Sequence, residues 1–136
     1  MGSKKAVIDT NVIVSGMVFG GIPAEIMRRA SSQDIKMITC EQLLIELGEV
    51  LRRPKLRLSE EDTCTILDLI RDFSSIVLIA GPCPKIALDP DDDIVLECAK
   101  SSLAEYIITG DAHLLQLRVY HWILIITPSQ FLSIKE

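Results

Sequence analysis

The apolar positions of this chain fall into short unbroken runs, separated by stretches in which they recur every three or four residues. Residues 5–9, 36–40, 76–80, 105–109 and 123–127 are the unbroken runs, and each reads as a strand buried on both faces. Residues 22–31, 41–53, 90–101 and 111–117 carry the helical rhythm. In 41–53, Leu43, Leu44, Leu47, Val50 and Leu51 line one stripe, and Pro54 ends the helix. Ser59 followed by Asp62 resembles a capping signal for a helix reaching about Asp72. Asp89-Pro90 suggests an N-cap with proline at the first helical position. Gly81-Pro82-Cys83-Pro84 marks a break, and residues 128–132 a closing turn of helix. Strands alternating with helices predict one α/β domain over residues 1–136, with residues 1–4 flexible and a central parallel sheet covered on both faces.

The acidic residues fall at informative places in this pattern. Asp9 ends the first strand-like run, and Asp111 follows the fourth. Ligands of open parallel sheets bind beyond the carboxyl ends of the strands, where both acids are carried. Glu46 lies three and four residues from Leu43 and Val50, so it borders the buried stripe of its helix, whereas Glu49 faces solvent. Asp89, Asp91, Asp92 and Asp93 crowd one helix start. Capping and the helix dipole explain an acid or two there; four exceed that need. Ile94, Val95, Cys98 and Ala99 define the buried face of this helix. Asp91 and Asp92 lie near that face and Asp93 points away, and spacing alone does not choose among Asp89, Asp91 and Asp92. Crowded carboxylates repel one another unless a cation joins them, and hard divalent ions take oxygen ligands.

Composition narrows the remaining classes. Of 136 residues, 49% are hydrophobic, and no apolar run approaches the roughly 18–20 residues of a membrane span. Cys40, Cys64, Cys83 and Cys98 form no Cys-x-x-Cys pair, and we read them as buried reduced thiols of a cytoplasmic protein. The net charge of −5 does not exclude a nucleic-acid partner. Setting aside Asp9, Glu46, Asp89, Asp91, Asp92, Asp93 and Asp111 leaves 12 acidic residues against 14 lysines and arginines. Arg52, Arg53, Lys55 and Arg57 form the densest basic segment; a solvated helix end explains it as readily as contact with RNA phosphates. Aromatic residues make up only 4%, so base-stacking platforms are scarce. His113 and His121 are expected at a helix surface and at a strand start, outside the chemistry. Apolar Ile45 on the far side of its helix hints at a contact surface.

Four segments, taken together, resemble the PIN-domain family. They are Val7-Ile8-Asp9-Thr10-Asn11-Val12, Glu46 within its leucine-rich helix, Asp89-Pro90-Asp91-Asp92-Asp93, and Tyr106-Ile107-Ile108-Thr109-Gly110-Asp111. The closing Ile126-Thr127-Pro128-Ser129-Gln130-Phe131-Leu132 is similar to the end of the branch of VapC-like toxins of toxin–antitoxin systems. The resemblance implies a three-layer α/β/α domain and a ribonuclease dependent on Mg²⁺ or Mn²⁺. It implies Asp9, Glu46, Asp92 and Asp111 as catalytic and metal-binding acids, with Thr10, Asn11 and Thr109 in support and Asp89 and Asp91 as helpers. An Asn is common in this branch where Asp93 stands, and the extra charge is expected to face solvent. RNA as substrate, an antitoxin protein, a homodimer and a cytoplasmic location belong to the same expectation. The competing readings are a DNA-cleaving nuclease or phosphatase on the same acids, a non-catalytic RNA- or protein-binding module, and a phosphoacceptor domain. The lack of a Gly-rich phosphate loop speaks against nucleotide binding.

Overall fold

The structure, a computed structural model, describes residues 3–79 and 90–134, with the backbone alone at Pro90 and Asp91. The described strands are β1 (Lys4–Ile8), β2 (Ile35–Thr39), β3 (Ser74–Ile76), β4 (Tyr106–Ile108), β5 (Val119–Tyr120) and β6 (Ile123–Ile126). They form one sheet in the order β3-β2-β1-β4-β6-β5. Every pairing is parallel except that of β5 with β6. The described helices are α1 (Thr10–Val14), α2 (Ile22–Ser31), α3 (Glu41–Leu51), α4 (Glu60–Phe73), α5 (Pro90–Ser101), α6 (Ala112–Leu117) and α7 (Pro128–Leu132). A π-helical stretch, Ser15–Phe19, continues α1, and a 3₁₀ turn, Pro54–Leu56, separates α3 from α4.

Strand side chains alternate between two cores, as a sheet covered on both faces requires. Ala6, Ile8, Ile35, Met37 and Ile108 pack with α1, α2, α3, α4 and α7. Val7, Ile38, Ile107, Ile123 and Ile125 pack with α5 and Leu114 of α6. The expected α/β/α layering is therefore present. Within α3, Leu43, Leu44, Leu47, Val50 and Leu51 are all buried, and Glu49 and Ile45 are exposed. Ser59 and Asp62 form a reciprocal capping box at the start of α4, a device worth about 1 kcal/mol. Among the described residues, no single helix is long and apolar enough to cross a membrane.

Four details differ from the sequence reading. The strand expected at 76–80 is β3 at Ser74–Ile76, because β2 sets its register, with Met37 opposite Ser74 and Thr39 opposite Ile76. The ladder continues only to the Val77 N–H, which donates to the Thr39 carbonyl at 2.9 Å. Beyond it Leu78 is 91% exposed. β5 was not expected; it folds back on β6 through His121, at φ +55°, a turn without the usual Asn or Gly signal. Lys4 belongs to β1 rather than to a flexible end. Cys64 is exposed, whereas Cys40 and Cys98 are buried. The latter two thiols interact, Cys98 holding Cys40 down at about 7, and Cys40 together with burial pushing Cys98 well above the usual thiol range. The break at 81–84, with Cys83, lies outside the described residues.

Candidate active site

The chain reverses its direction of travel across the sheet between β1 and β4. From β1 it moves outward to β2 and β3, then returns to β4 on the other side of β1. A crevice at such a switch point is where open α/β sheets hold ligands. Asp9 and Asp111 lie there. The Asp9 N–H extends the ladder by donating to the Ile108 carbonyl at 2.9 Å, and the Thr109 N–H donates to the Ile126 carbonyl at 2.9 Å. Asp9 and Thr109 thus stand level, one residue past their strands.

The Thr109 hydroxyl links the two acids. It donates to Asp9 Oδ2 at 2.8 Å and accepts from the Asp111 N–H at 3.0 Å. Asp9 precedes α1 in extended backbone, yet its carboxylate does not cap that helix; its carbonyl accepts the first helical bonds instead. The carboxylate is left at the crevice and is 7% exposed. Burial raises its pKa above the ordinary 3.8, and the charge of Asp111 pushes the same way. The Thr109 hydroxyl and the Thr10 N–H pull it back down. None of the ion pairs among the described residues includes Asp9 or Asp111; these pairs join Glu25 to Arg28 and Arg29, Glu60 to Arg52, and Glu41 to Arg71. Asp111 also caps α6, accepting from the His113 N–H at 3.4 Å.

Glu46 enters from α3. The buried Thr10 hydroxyl donates to Glu46 Oε2 at 3.2 Å, so the residue after Asp9 holds the half-buried glutamate against the start of α1. Asp92 lies buried in the first turn of α5, as its position beside Val95 and Ala99 suggests. Asp93 differs from expectation: it is 6% exposed instead of facing solvent. Tyr120 of β5 packs against the core that α5 shares, and its phenol pKa is raised by burial and by the nearby charges of Glu97 and Asp93. Asn11 is exposed on the first turn of α1. Asp89 and the Asp91 side chain lie outside the described residues.

The donor set suits a hard cation in one particular way. Among the described residues, no group of three or more Asp, Glu, His or Cys side chains could by itself hold a metal. Mg²⁺ needs no such cage, since it commonly binds through one or two carboxylates, waters and substrate phosphates. Asp9 and Asp111 fit that pattern, one hydroxyl holding the Asp9 carboxylate and the Asp111 backbone N–H. The basic segment is less uniform than it reads in the sequence. Arg52 is taken up by Glu60, with Nε donating at 3.0 Å and Nη2 at 2.7 Å, while Arg53, Lys55 and Arg57 are exposed. His113 and His121 are exposed.

Comparison with known proteins agrees with the fold. The PIN-domain family profile matches residues 5–113. VapBC2 from Rickettsia felis, solved bound to a DNA fragment from its promoter, is similar in structure: TM-score 0.63 and 11% identity, over 89% of this chain and 96% of that one. PAE2754 from Pyrobaculum aerophilum is similar at TM-score 0.62 and 15% identity, over 95% of this chain and 93% of that one. At these identities the solved structures speak for the fold. No curated protein matches the chain in sequence. With the profile spanning Asp9, Glu46, Asp92, Thr109 and Asp111, the chain belongs to the PIN-domain family.

Proposed function

We propose that this protein is a divalent-metal-dependent ribonuclease that hydrolyses RNA phosphodiester bonds as the toxin of a toxin–antitoxin pair. The observation that carries the reading is the Asp9–Thr109–Asp111 link at the switch point, where a buried carboxylate is raised by burial and by a second acid without an ion pair of its own. Asp9 and Asp111 would hold Mg²⁺ or Mn²⁺. Asp92 and Glu46 are the further acids in the family's pattern, with Asp89 and Asp91 as helpers. When bound, the ion supplies charge neutralisation on the phosphate and a lowered pKa for its water. The chain's own residues position the acids: Thr109 orients Asp9, and Thr10 orients Glu46. Within the basic segment Arg53, Lys55 and Arg57 are exposed cations available for RNA phosphates, and the further candidate Arg52 is paired with Glu60. The likeness to VapBC2 supports an antitoxin partner; self-association as a homodimer and a cytoplasmic setting are part of the same proposal.

The deciding experiment is cleavage of a cellular RNA pool by the wild type and Asp9→Asn in Mg²⁺, Mn²⁺ or EDTA. The expected result is cleavage in either metal, lost in EDTA and lost in the variant while the fold persists. Binding of RNA without cleavage would favour the non-catalytic module, and cleavage of DNA alone would favour the DNA-cleaving reading.

A further inference from the structure

Two thiols meet between α3 and α5, helices that pack against each other. Cys40 follows β2 and occupies the N-cap position of α3. Cys98 lies on the buried side of α5 with Val95 and Ala99. Both cysteines are fully buried, in the core that Val7, Ile38 and Leu43 share. Cys64 is exposed on α4, away from them. The proposed hydrolysis uses none of these sulfurs.

Their placement gives the two buried sulfurs different characters. Cys98 lowers the Cys40 thiol to about 7, and the Leu43 and Gln42 N–H groups at the start of α3 add to this, against burial. Cys40 therefore holds a share of thiolate near neutral pH, and the thiolate is the nucleophile. Cys98 is pushed the other way and stays a neutral thiol. A reactive sulfur with a second thiol against it matches an attacking and a resolving cysteine. The same helices carry two of the acids: Glu46 follows Cys40 on α3, and Asp92 precedes Cys98 on α5.

We propose that Cys40 and Cys98 form a redox switch, in which hydrogen peroxide joins them in a disulfide that moves α5 against α3 and slows the acidic site. The Cys40 thiolate attacks one peroxide oxygen. The O–O bond breaks, leaving a sulfenic acid on Cys40 and a hydroxide that takes up the proton Cys40 released. The Cys98 sulfur then attacks the Cys40 sulfur, the S–O bond breaks, and the Cys98 proton leaves with the hydroxyl as water. Two thiols are oxidised, and one peroxide is reduced to two waters. Disulfide sulfurs lie about 2.05 Å apart, closer than two thiols in contact, so closing the bond draws the helices together. Because both sulfurs are buried, the reaction passes through local opening, which admits a small uncharged peroxide before a bulky reagent. The slowing rests on the nuclease reading; the disulfide does not.

The test reads the bond by mass and its effect by cleavage. The wild type is treated with hydrogen peroxide in EDTA, unfolded, alkylated, digested and weighed. A peptide pair linked through Cys40 and Cys98 is expected, reversed by dithiothreitol, and this arm needs no variant. Cys98→Ser should leave Cys40 as a sulfenic acid that dimedone captures, and Cys40→Ser should leave Cys98 unreacted. Replacing Cys64 and Cys83 with Ser should leave the link unchanged. The linked protein should cleave RNA in Mg²⁺ on the order of 100-fold more slowly, the cost of a misplacement of about 1 Å, and recover on reduction. No link, a link to Cys64 or Cys83 instead, or full cleavage by the linked protein would overturn the switch. Absence of cleavage by the reduced wild type would count against the nuclease reading instead, with the link still decided by mass.

Discussion

The Thr109 hydroxyl donates to Asp9 Oδ2 at 2.8 Å across one hundred residues of sequence, and the same oxygen accepts from the Asp111 N–H. Thr109 is fully buried, so water does not replace it. Thr109→Val keeps the shape and strips the hydroxyl, leaving a buried acceptor and an amide without their partner. A cost of about 1–3 kcal/mol in stability is expected. Because the hydroxyl also lowers the Asp9 pKa, its loss should move Mn²⁺ binding to higher pH. Calorimetry across pH checks this, with Thr109→Ser restoring the wild-type profile. An unmoved profile in Thr109→Val would leave Thr109 a purely structural residue.

Asp9 itself sets a pH dependence in the metal-free protein. Its folded pKa lies above the ordinary 3.8. Below both values the carboxyl is protonated in either state and contributes nothing. As pH rises through the folded value, the unfolded chain holds fewer protons than the folded one, and stability falls. Asp9→Asn removes that penalty. In EDTA the variant should therefore melt higher than the wild type, by a margin that grows as pH rises from near 3.8 toward neutrality. Thermal melts at several pH values test it; a variant that melts lower at neutral pH would show that the ionised carboxylate is structurally satisfied.

The alternation of runs and stripes made the layers legible, because burial on both faces of a parallel strand leaves an unbroken apolar run such as Ile123-Leu124-Ile125-Ile126. The positions of Asp9 and Asp111 could be read for the same reason: each follows such a run. What pairing decides was not legible. β3 took its register from β2, and β5 is a two-residue strand whose turn at His121 lacks a glycine signal. The burial of Asp93 was not legible either, since helix spacing alone does not show what packs against a polar face. The helix α1 was not legible because Val12-Ile13-Val14 is β-branched and does not advertise a helix.

The basic segment divides in the structure, and its two parts should behave differently. Arg52 ties the end of α3 to Glu60 at the start of α4 through a bidentate pair. Both side chains are substantially exposed, so solvent screens the pair and it contributes little to stability. Arg52→Ala should lower the melting temperature slightly and leave RNA affinity nearly unchanged. Replacing Arg53 and Lys55 together should do the reverse, weakening RNA binding and flattening its salt dependence. Equal losses of RNA affinity in both variants would return Arg52 to the RNA-contact surface.

Glu46 accepts a hydrogen bond from the residue that follows Asp9. Thr10, buried at the start of α1, donates to Glu46 Oε2 at 3.2 Å. A carboxylate fixed in this way can orient bound water or substrate without being a principal ligand, as outer groups around metals do. Glu46→Gln keeps the shape and an oxygen for Thr10 but loses the charge. Cleavage should fall on the order of 10- to 100-fold, the range found for such outer groups, while Mn²⁺ affinity changes far less than in Asp9→Asn. Thr10→Val, which removes that hydrogen bond, should reproduce the fall in cleavage, and Thr10→Ser should rescue it. Calorimetry and single-turnover cleavage on the same preparations separate the two quantities. A loss of Mn²⁺ affinity in Glu46→Gln equal to that in Asp9→Asn would make Glu46 a direct ligand instead.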